Sequence, residues 1–210
     1  MLTEEPEPEP EAALTLFGAR VGLARRYAQD LIDHGETLGL IGPRELPRLW
    51  TRHLLNSALA APLLRPGLVG DVGSGAGLPG IVLAIARPDV DFVLIEPMER
   101  RVEWLRAESE RLGLINVRVA RDRAQDAPFR GQLDQVTARA VSALNKLIPL
   151  CAPLLKRGGE LILLKGANVS AERDSAATAI RKCRLKNVEI LVLGDGMVPE
   201  VTRVFRATVD

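Results

Sequence analysis

Between Ala12 and about Leu64, apolar positions fall at helical intervals. Leu16, Ala19, Leu23, Tyr27, Leu31 and Ile32 recur at three- and four-residue steps. Gly42-Pro43 interrupts this pattern, and "LPRLWTRHLLNSALAAPLL" predicts a resumed helix that stops near Pro62. From Leu68 onward the pattern changes to short apolar runs alternating with amphipathic stretches. "LVGDVG", "DFVLIE", "VRVA", "LDQVTARA" and "ELILLKG" predict strands. "LPGIVLAIARP", "MERRVEWLRAESERLGL" and "SALNKLIPLCAPLLKRGG" predict helices, the last closing on paired glycines. A final helix over about Ser170 to Cys183 leads into "NVEILVLG" and "VTRVFRATV", strand-like runs joined by a short turn containing Gly194 and Gly196. The alternation predicts an α/β fold with a doubly wound parallel sheet, and the last two runs add an antiparallel hairpin, about seven strands in all.

Composition refines this picture at one end. "MLTEEPEPEPE" holds Glu4, Glu5, Glu7, Glu9 and Glu11 and no basic residue. Its Pro-Glu alternation predicts a disordered acidic tail over residues 1–11, ahead of a helical N-terminal module (12–66) and the α/β domain (67–210). Without those five glutamates, 28 basic residues face 22 acidic ones, so the folded part is basic although the whole chain is only +1. That balance suits a nucleic-acid partner without requiring one. No apolar run reaches the roughly 18 residues of a membrane span. Cys151 and Cys183 have neither metal-ligand nor disulfide spacing, so a cytoplasmic protein with no metal and no membrane is expected.

"DVGSGAGLPGI" carries the candidate chemistry, and its glycines fit two spacings. Gly73, Gly75 and Gly77 give G-x-G-x-G, as in proteins that hold S-adenosylmethionine. Gly75, Gly77 and Gly80 give G-x-G-x-x-G, as in dinucleotide-binding turns. Both place the backbone close to a ligand at a strand-to-helix turn, and both want an acid after the second strand for the ribose, which Glu96 supplies. Three features favour S-adenosylmethionine. Asp71 would face a methionine ammonium group well but repel a pyrophosphate. The terminal hairpin completes the class I methyltransferase sheet, a Rossmann-like architecture. The helical stretch before the glycines is not usual for a dinucleotide domain. An NAD(P)-dependent oxidoreductase remains the alternative from a different class.

A sulfonium methyl is already activated, so the acceptor decides what else an enzyme needs. After the fourth strand the chain reads "ARAVSAL", without the Asn/Asp-Pro-Pro-aromatic motif that serves exocyclic amines. Cys151 and Cys183 read as small core residues, not as the nucleophile of pyrimidine carbon-5 methylation. A ring nitrogen with a lone pair, such as guanine N7, needs neither, though another RNA or a small molecule also fits. Arg139 reads equally as a residue beside cofactor and target or as a solvated strand-end arginine. Arg123 reads as one charge among several, His53 as a helix-surface or capping residue, and Trp50 and Trp104 as packing residues. The arginines and glutamates between Glu99 and Arg111 read as a solvated face with i,i+4 pairs.

"RHLLNS", "DVGSGAGLPGI", "TARAVSALNKL" and "LLKG" occur in an order that resembles the glucose-inhibited division protein B family, bacterial 16S ribosomal RNA guanine-N7 methyltransferases. The resemblance covers nearly all of the chain after the acidic tail. It implies transfer of a methyl group from S-adenosyl-L-methionine to guanine N7 in 16S ribosomal RNA or a small-subunit particle, by a monomer. It also implies that Gly73, Gly75 and Leu78 line the methionine part of the cofactor, and that Ala124 and Gln125 contact the adenine. Arg139 would lie beside the cofactor, and Arg123 and Arg203 would serve RNA engagement or methyl transfer. Arg52 and His53 would belong to an arginine-histidine helix facing the site. Asn56 stands where relatives often have aspartate, and "LGLIG" where they have Asn-Leu-Thr.

Overall fold

The computed structural model describes residues 5–210. Helices α1 (Ala12–Phe17) and α2 (Val21–His34) open the fold. A 3-10 turn over Pro43–Arg48, a π-helical segment over Leu49–Leu55 and the single turn α3 (Asn56–Ala58) follow. The sequence pattern predicts one continuous helix over most of this stretch. The start of that stretch instead forms a 3-10 turn, in which Pro47 offers no backbone N–H.

The sheet is built from β1 (Leu68–Val72), β2 (Asp91–Ile95), β3 (Val117–Ala120), β4 (Leu133–Arg139), β5 (Leu155–Lys165), β6 (Leu185–Leu193) and β7 (Thr202–Val209). Helices α4 (Gly80–Ala86), α5 (Glu99–Arg111), α6 (Leu144–Cys151), α7 (Val169–Ser175) and α8 (Ala177–Lys182) connect them. Strand order is β3-β2-β1-β4-β5-β7-β6, parallel through β5, with β7 antiparallel to both its neighbours. The chain switches direction across the sheet between β1 and β4. A crevice therefore opens beyond the carboxyl ends of those two strands.

Alternate strand residues serve opposite faces. Phe92, Leu94, Ile162 and Leu164 join one apolar cluster, while Val93, Ile95, Leu161 and Leu163 join the other. The first cluster also holds Tyr27, Leu31, Leu54 and Leu55, packed with Ile81 and Ile85 of α4. The N-terminal helices thus share one core with the sheet.

Four local expectations change. Residues 1–4 lie outside the described residues, but the rest of the acidic segment is held in place. Glu9 pairs with Arg25 at 2.6 Å, and the Glu7 carboxylate accepts from the Thr51 backbone N–H at 2.9 Å. A carboxylate at a helix start satisfies N–H groups that have no partner within the helix, which a reading of composition does not reveal. The Gly158-Gly159 pair does not close a helix; it lies inside β5. A Cβ on Gly159 would sit 3.0 Å from the Asp134 carbonyl, so the pair allows β5 to run close to β4. The last helix divides into α7 and α8 at Ala176.

The fourth change concerns α5. Its charges reach other elements: Arg111 pairs with Asp30 of α2 at 2.7 Å, and Glu99 with Arg121 at 2.5 Å. Glu108 is fully buried. Arg111 approaches it at 3.4 Å, yet neither carboxyl oxygen has a hydrogen-bond partner among the described residues. Burial, reinforced by Asp30, pushes Glu108 up from 4.5 to about 8, so the folded protein keeps a proton there at neutral pH. The unfolded chain releases that proton near pH 4.5, so this group's stabilising effect is complete below that pH and fades as pH rises to about 8. Glu108→Gln should therefore stabilise the protein at pH 8 by about 1–3 kcal/mol and by much less at pH 5. Urea unfolding at the two pH values checks this; an equal effect at both would remove the titration as its cause.

Candidate cofactor and substrate sites

The turn after β1 is fixed from behind by Asp71. This residue is fully buried, pairs in register with Thr137 on β4, and accepts from the Thr137 hydroxyl at 3.1 Å. Its other oxygen accepts from the Gly80 backbone N–H at 3.1 Å. Burial pushes its carboxyl up to about 6, and the donors around it hold it down against a larger rise. Asp71 lines neither cavity described below, and its hydrogen bonds give it a structural role beneath the loop. A Cβ on Gly80 would lie 2.5 Å from the Asp71 carboxylate, so only glycine lets α4 start this close to β1.

Gly73, Gly75 and Gly77 all have positive φ, at 71°, 58° and 105°. Gly73 donates to the Ile95 carbonyl at 2.9 Å, and Gly75 donates to Glu96 Oε2 at 2.9 Å. The Ala76 carbonyl accepts two hydrogen bonds from aromatic side chains. Tyr27 Oη of α2 donates at 3.0 Å and Trp104 Nε1 of α5 at 2.8 Å. A Cβ on Gly77 would sit 3.0 Å from the Tyr27 hydroxyl, which couples that glycine to the same contact. Trp104 and Tyr27 are therefore donors as well as packing residues. No local pattern marks them, because the contact spans 28 and 49 residues of chain.

A cavity of about 430 Å³ lies at the carboxyl ends of β1 and β2. Gly73, Glu96, Met98, Arg123, Ala124 and Gln125 line it, with Val141 and Leu150 opposite. Glu96 stays buried, its Oε1 accepting from Met98 N at 3.0 Å, and each oxygen retains a lone pair for a ribose hydroxyl. This donor set and size suit a nucleoside-bearing ligand. Gly75, Gly77 and Leu78 do not line the cavity, and Leu78 is buried in the first apolar cluster.

A second cavity of about 680 Å³ adjoins the first at Ala140, which lines both. Arg52, His53, Asn56, Arg139, Lys165 and Arg203 line it, with Glu45 and Glu200. Four cationic side chains thus face two carboxylates. Arg139 and Arg203 meet here, whereas Arg123 belongs to the first cavity. Lys165 is tied to the Ser142 carbonyl at 2.9 Å and Glu172 at 2.8 Å. The Arg203 backbone pairs with Lys165 and Val192 in the sheet, and its side chain makes no hydrogen bond or ion pair among the described residues. Ala140 has φ of 56°, a conformation disfavoured for residues with a Cβ, at the junction of the cavities. His53 is buried, not a surface residue, and Arg139 reaches its Nδ1 at 2.8 Å. Glu45, Lys165 and Glu200 were not singled out by the sequence; only the fold brings them to this wall. Burial pushes the Cys151 and Cys183 thiols up, and neither lines a cavity. Among the described residues, no cluster of His, Cys, Asp or Glu is placed to hold a metal, and no helix is long and apolar enough to cross a membrane.

A sheet of this order, ending in an antiparallel β7 and carrying a glycine loop and a β2-terminal acid at its switch point, is the fold of class I S-adenosylmethionine-dependent methyltransferases. Its likeness extends to an Aquifex aeolicus SAM-dependent methyltransferase (18% identity, TM-score 0.57, 78% of this chain and 93% of that one). It extends also to M. jannaschii TYW2 in complex with AdoMet (19% identity, TM-score 0.57, 73% of each chain). The chain belongs to the GidB family, described as rRNA small subunit methyltransferase G, which matches residues 21–199. Similar relatives named ribosomal RNA small subunit methyltransferase G come from Leifsonia xyli (62% identity over 99% of this chain and 100% of that protein) and Clavibacter sepedonicus (63% over 97% and 96%).

The Ala76 contact predicts a cofactor phenotype for residues outside the cavity. Tyr27→Phe and Trp104→Phe each remove one of two donors, worth about 1 kcal/mol, and should weaken S-adenosylhomocysteine binding roughly fivefold. Glu96→Ala should weaken it more than either. Titration calorimetry on folded variants measures all three; unchanged affinity in both aromatic variants would show that the loop holds without them.

Proposed function

We propose that the chain methylates N7 of a guanine in 16S ribosomal RNA of the small subunit, acting in the cytoplasm as a monomer. The observation that carries this reading is the cation-lined cavity of Arg52, Arg139, Lys165 and Arg203, opening onto the glycine-loop cavity at Ala140. The relatives' names support the ribosomal RNA, and the cationic walls support a polyanion beside the glycine-loop cavity.

S-adenosylmethionine, when bound, supplies an activated methyl group on a sulfonium sulfur. Glu96 would hold its ribose, Gly73 would let it approach the β1 turn, and Ala124 and Gln125 would flank its adenine. Guanine N7 presents a lone pair and carries no proton, so the protein needs no base at the acceptor. The second cavity fits that economy: both nitrogens of His53 are engaged, and Lys165 is ion-paired. Arg139, Arg203 and Arg123 would position RNA phosphates and the O6 edge, since a cation facing N7 itself would oppose the charge developing there. The helical module contributes Arg52, His53 and Asn56 to the same wall, so it acts as part of the site.

The test is methyl transfer from labelled S-adenosylmethionine to small-subunit particles and to free 16S RNA, with nucleoside mass spectrometry. Label should appear as 7-methylguanosine; label on another atom, or none on either RNA, would defeat the reading. Arg203→Ala should lower kcat/KM for RNA about 10–100-fold and reduce the salt dependence of RNA binding by about one charge, leaving S-adenosylhomocysteine affinity unchanged.

A further inference from the structure

Arg139 and His53 lie 86 residues apart in sequence and form a directed pair in the fold. The guanidinium can only donate, so its 2.8 Å contact makes His53 Nδ1 an acceptor. The imidazole proton must then sit on Nε2, where it donates to Glu45 Oε2 at 2.7 Å. Arg52 Nε reaches the same Glu45 oxygen at 3.2 Å, and a second Arg139 nitrogen donates to the Arg52 carbonyl at 3.0 Å. The chain of contacts therefore has one polarity: carboxylate, imidazole N–H, imidazole lone pair, guanidinium. It begins on the turn at Pro43–Arg48, passes through the π-helical segment, and ends on the last residue of β4. A π-helical turn is uncommon and often marks a working position; here it carries His53 and Arg52 toward the end of β4.

We propose that His53 is a positioning residue for methyl transfer: held as its neutral Nε2–H tautomer by Glu45, it fixes the Arg139 guanidinium at the junction of the two cavities. The remaining N–H groups of Arg139 are then available to an oxygen of the entering nucleotide, a phosphate or the O6 edge of a purine. This rests on the function proposed above, but the state of His53 does not. Burial and the Arg139 charge also lower the His53 pKa to about 4 against the opposing effect of Glu45, so the acceptor lone pair persists at neutral pH. Protonation would remove that acceptor and set two cations in contact.

Nitrogen-15 NMR of the wild-type protein at pH 7 reads the tautomer without any substrate. His53 should show a bare Nδ1 and a protonated Nε2; the opposite tautomer or an imidazolium overturns the proposal. Kinetics with small-subunit particles reads the consequence. His53→Ala should lower kcat about 10–100-fold with S-adenosylhomocysteine affinity within twofold of wild type. His53→Gln, whose amide oxygen can accept from Arg139, should recover at least a third of the lost rate. In an Arg139→Ala background, His53→Ala should cost no more than a further twofold. A glutamine variant as slow as alanine, or a full additive loss in the Arg139→Ala background, overturns the positioning role. If the wild type transfers no methyl to ribosomal RNA, the proposed function fails, while the NMR result still decides the arrangement of His53.

Discussion

A carboxylate with no access to solvent underlies the arrangement of this protein. Removing Asp71 from water costs several kcal/mol unless donors replace the lost hydration. Two of them, the Gly80 N–H and the Thr137 hydroxyl, come from the start of α4 and from β4. Satisfying Asp71 therefore joins β1, α4 and β4 at the switch point. The glycine turn is strung between these anchors, and Gly80 must lack a side chain for the anchor to fit. An acid in this position looks from sequence like a ligand contact, and the fold also gives it internal donors that no sequence pattern announces.

Above that anchor the two cavities differ in chemistry. The one beside Glu96 combines backbone and apolar side chains with one buried acid and, among its other polar groups, Arg101, Arg123 and Gln125, which suits a small nucleoside-bearing ligand. The one beside Arg139 is wider and cationic, which suits a polyanion whose position matters more than its affinity at any one contact. Between them stands one backbone position, Ala140, in a conformation that favours glycine. Such strain persists only where neighbours over-determine it, and here β4, Val141 over Gly73, and the Arg139 contacts all act within three residues.

The alternation of apolar runs made the sheet legible, because period-2 and period-3.6 patterns report which side of an element faces a core. The hairpin, the β2-terminal Glu96 and the glycine turn were legible for the same local reason. Partners across long stretches of chain were not. Nothing near His53 announces an arginine on β4, nothing near Trp104 announces the Ala76 carbonyl, and a buried Glu108 looks like its solvated neighbours on α5. The paired glycines after α6 misled in the other direction: a helix stop and a close strand approach call for the same residue. The acidic segment misled because composition counts charges without knowing that Arg25 and the Thr51 N–H await them.

The Thr202 hydroxyl, at the first residue of β7, donates to the Asn56 carbonyl at 2.8 Å across 146 residues of sequence. β7 also lies between β5 and β6, so β6 has no place in the sheet until β7 has been inserted. Synthesis runs in the opposite order to this dependence. The helices made first stay without their closing contact, and the cationic wall lacks Arg203, until residues 202–209 have left the ribosome. Contacts this distant in sequence are slow to form, so closing the helical module and completing the cationic wall depend on the same late-made strand. The cationic cavity is thus complete only once β7 has joined the sheet and brought Arg203 to its wall.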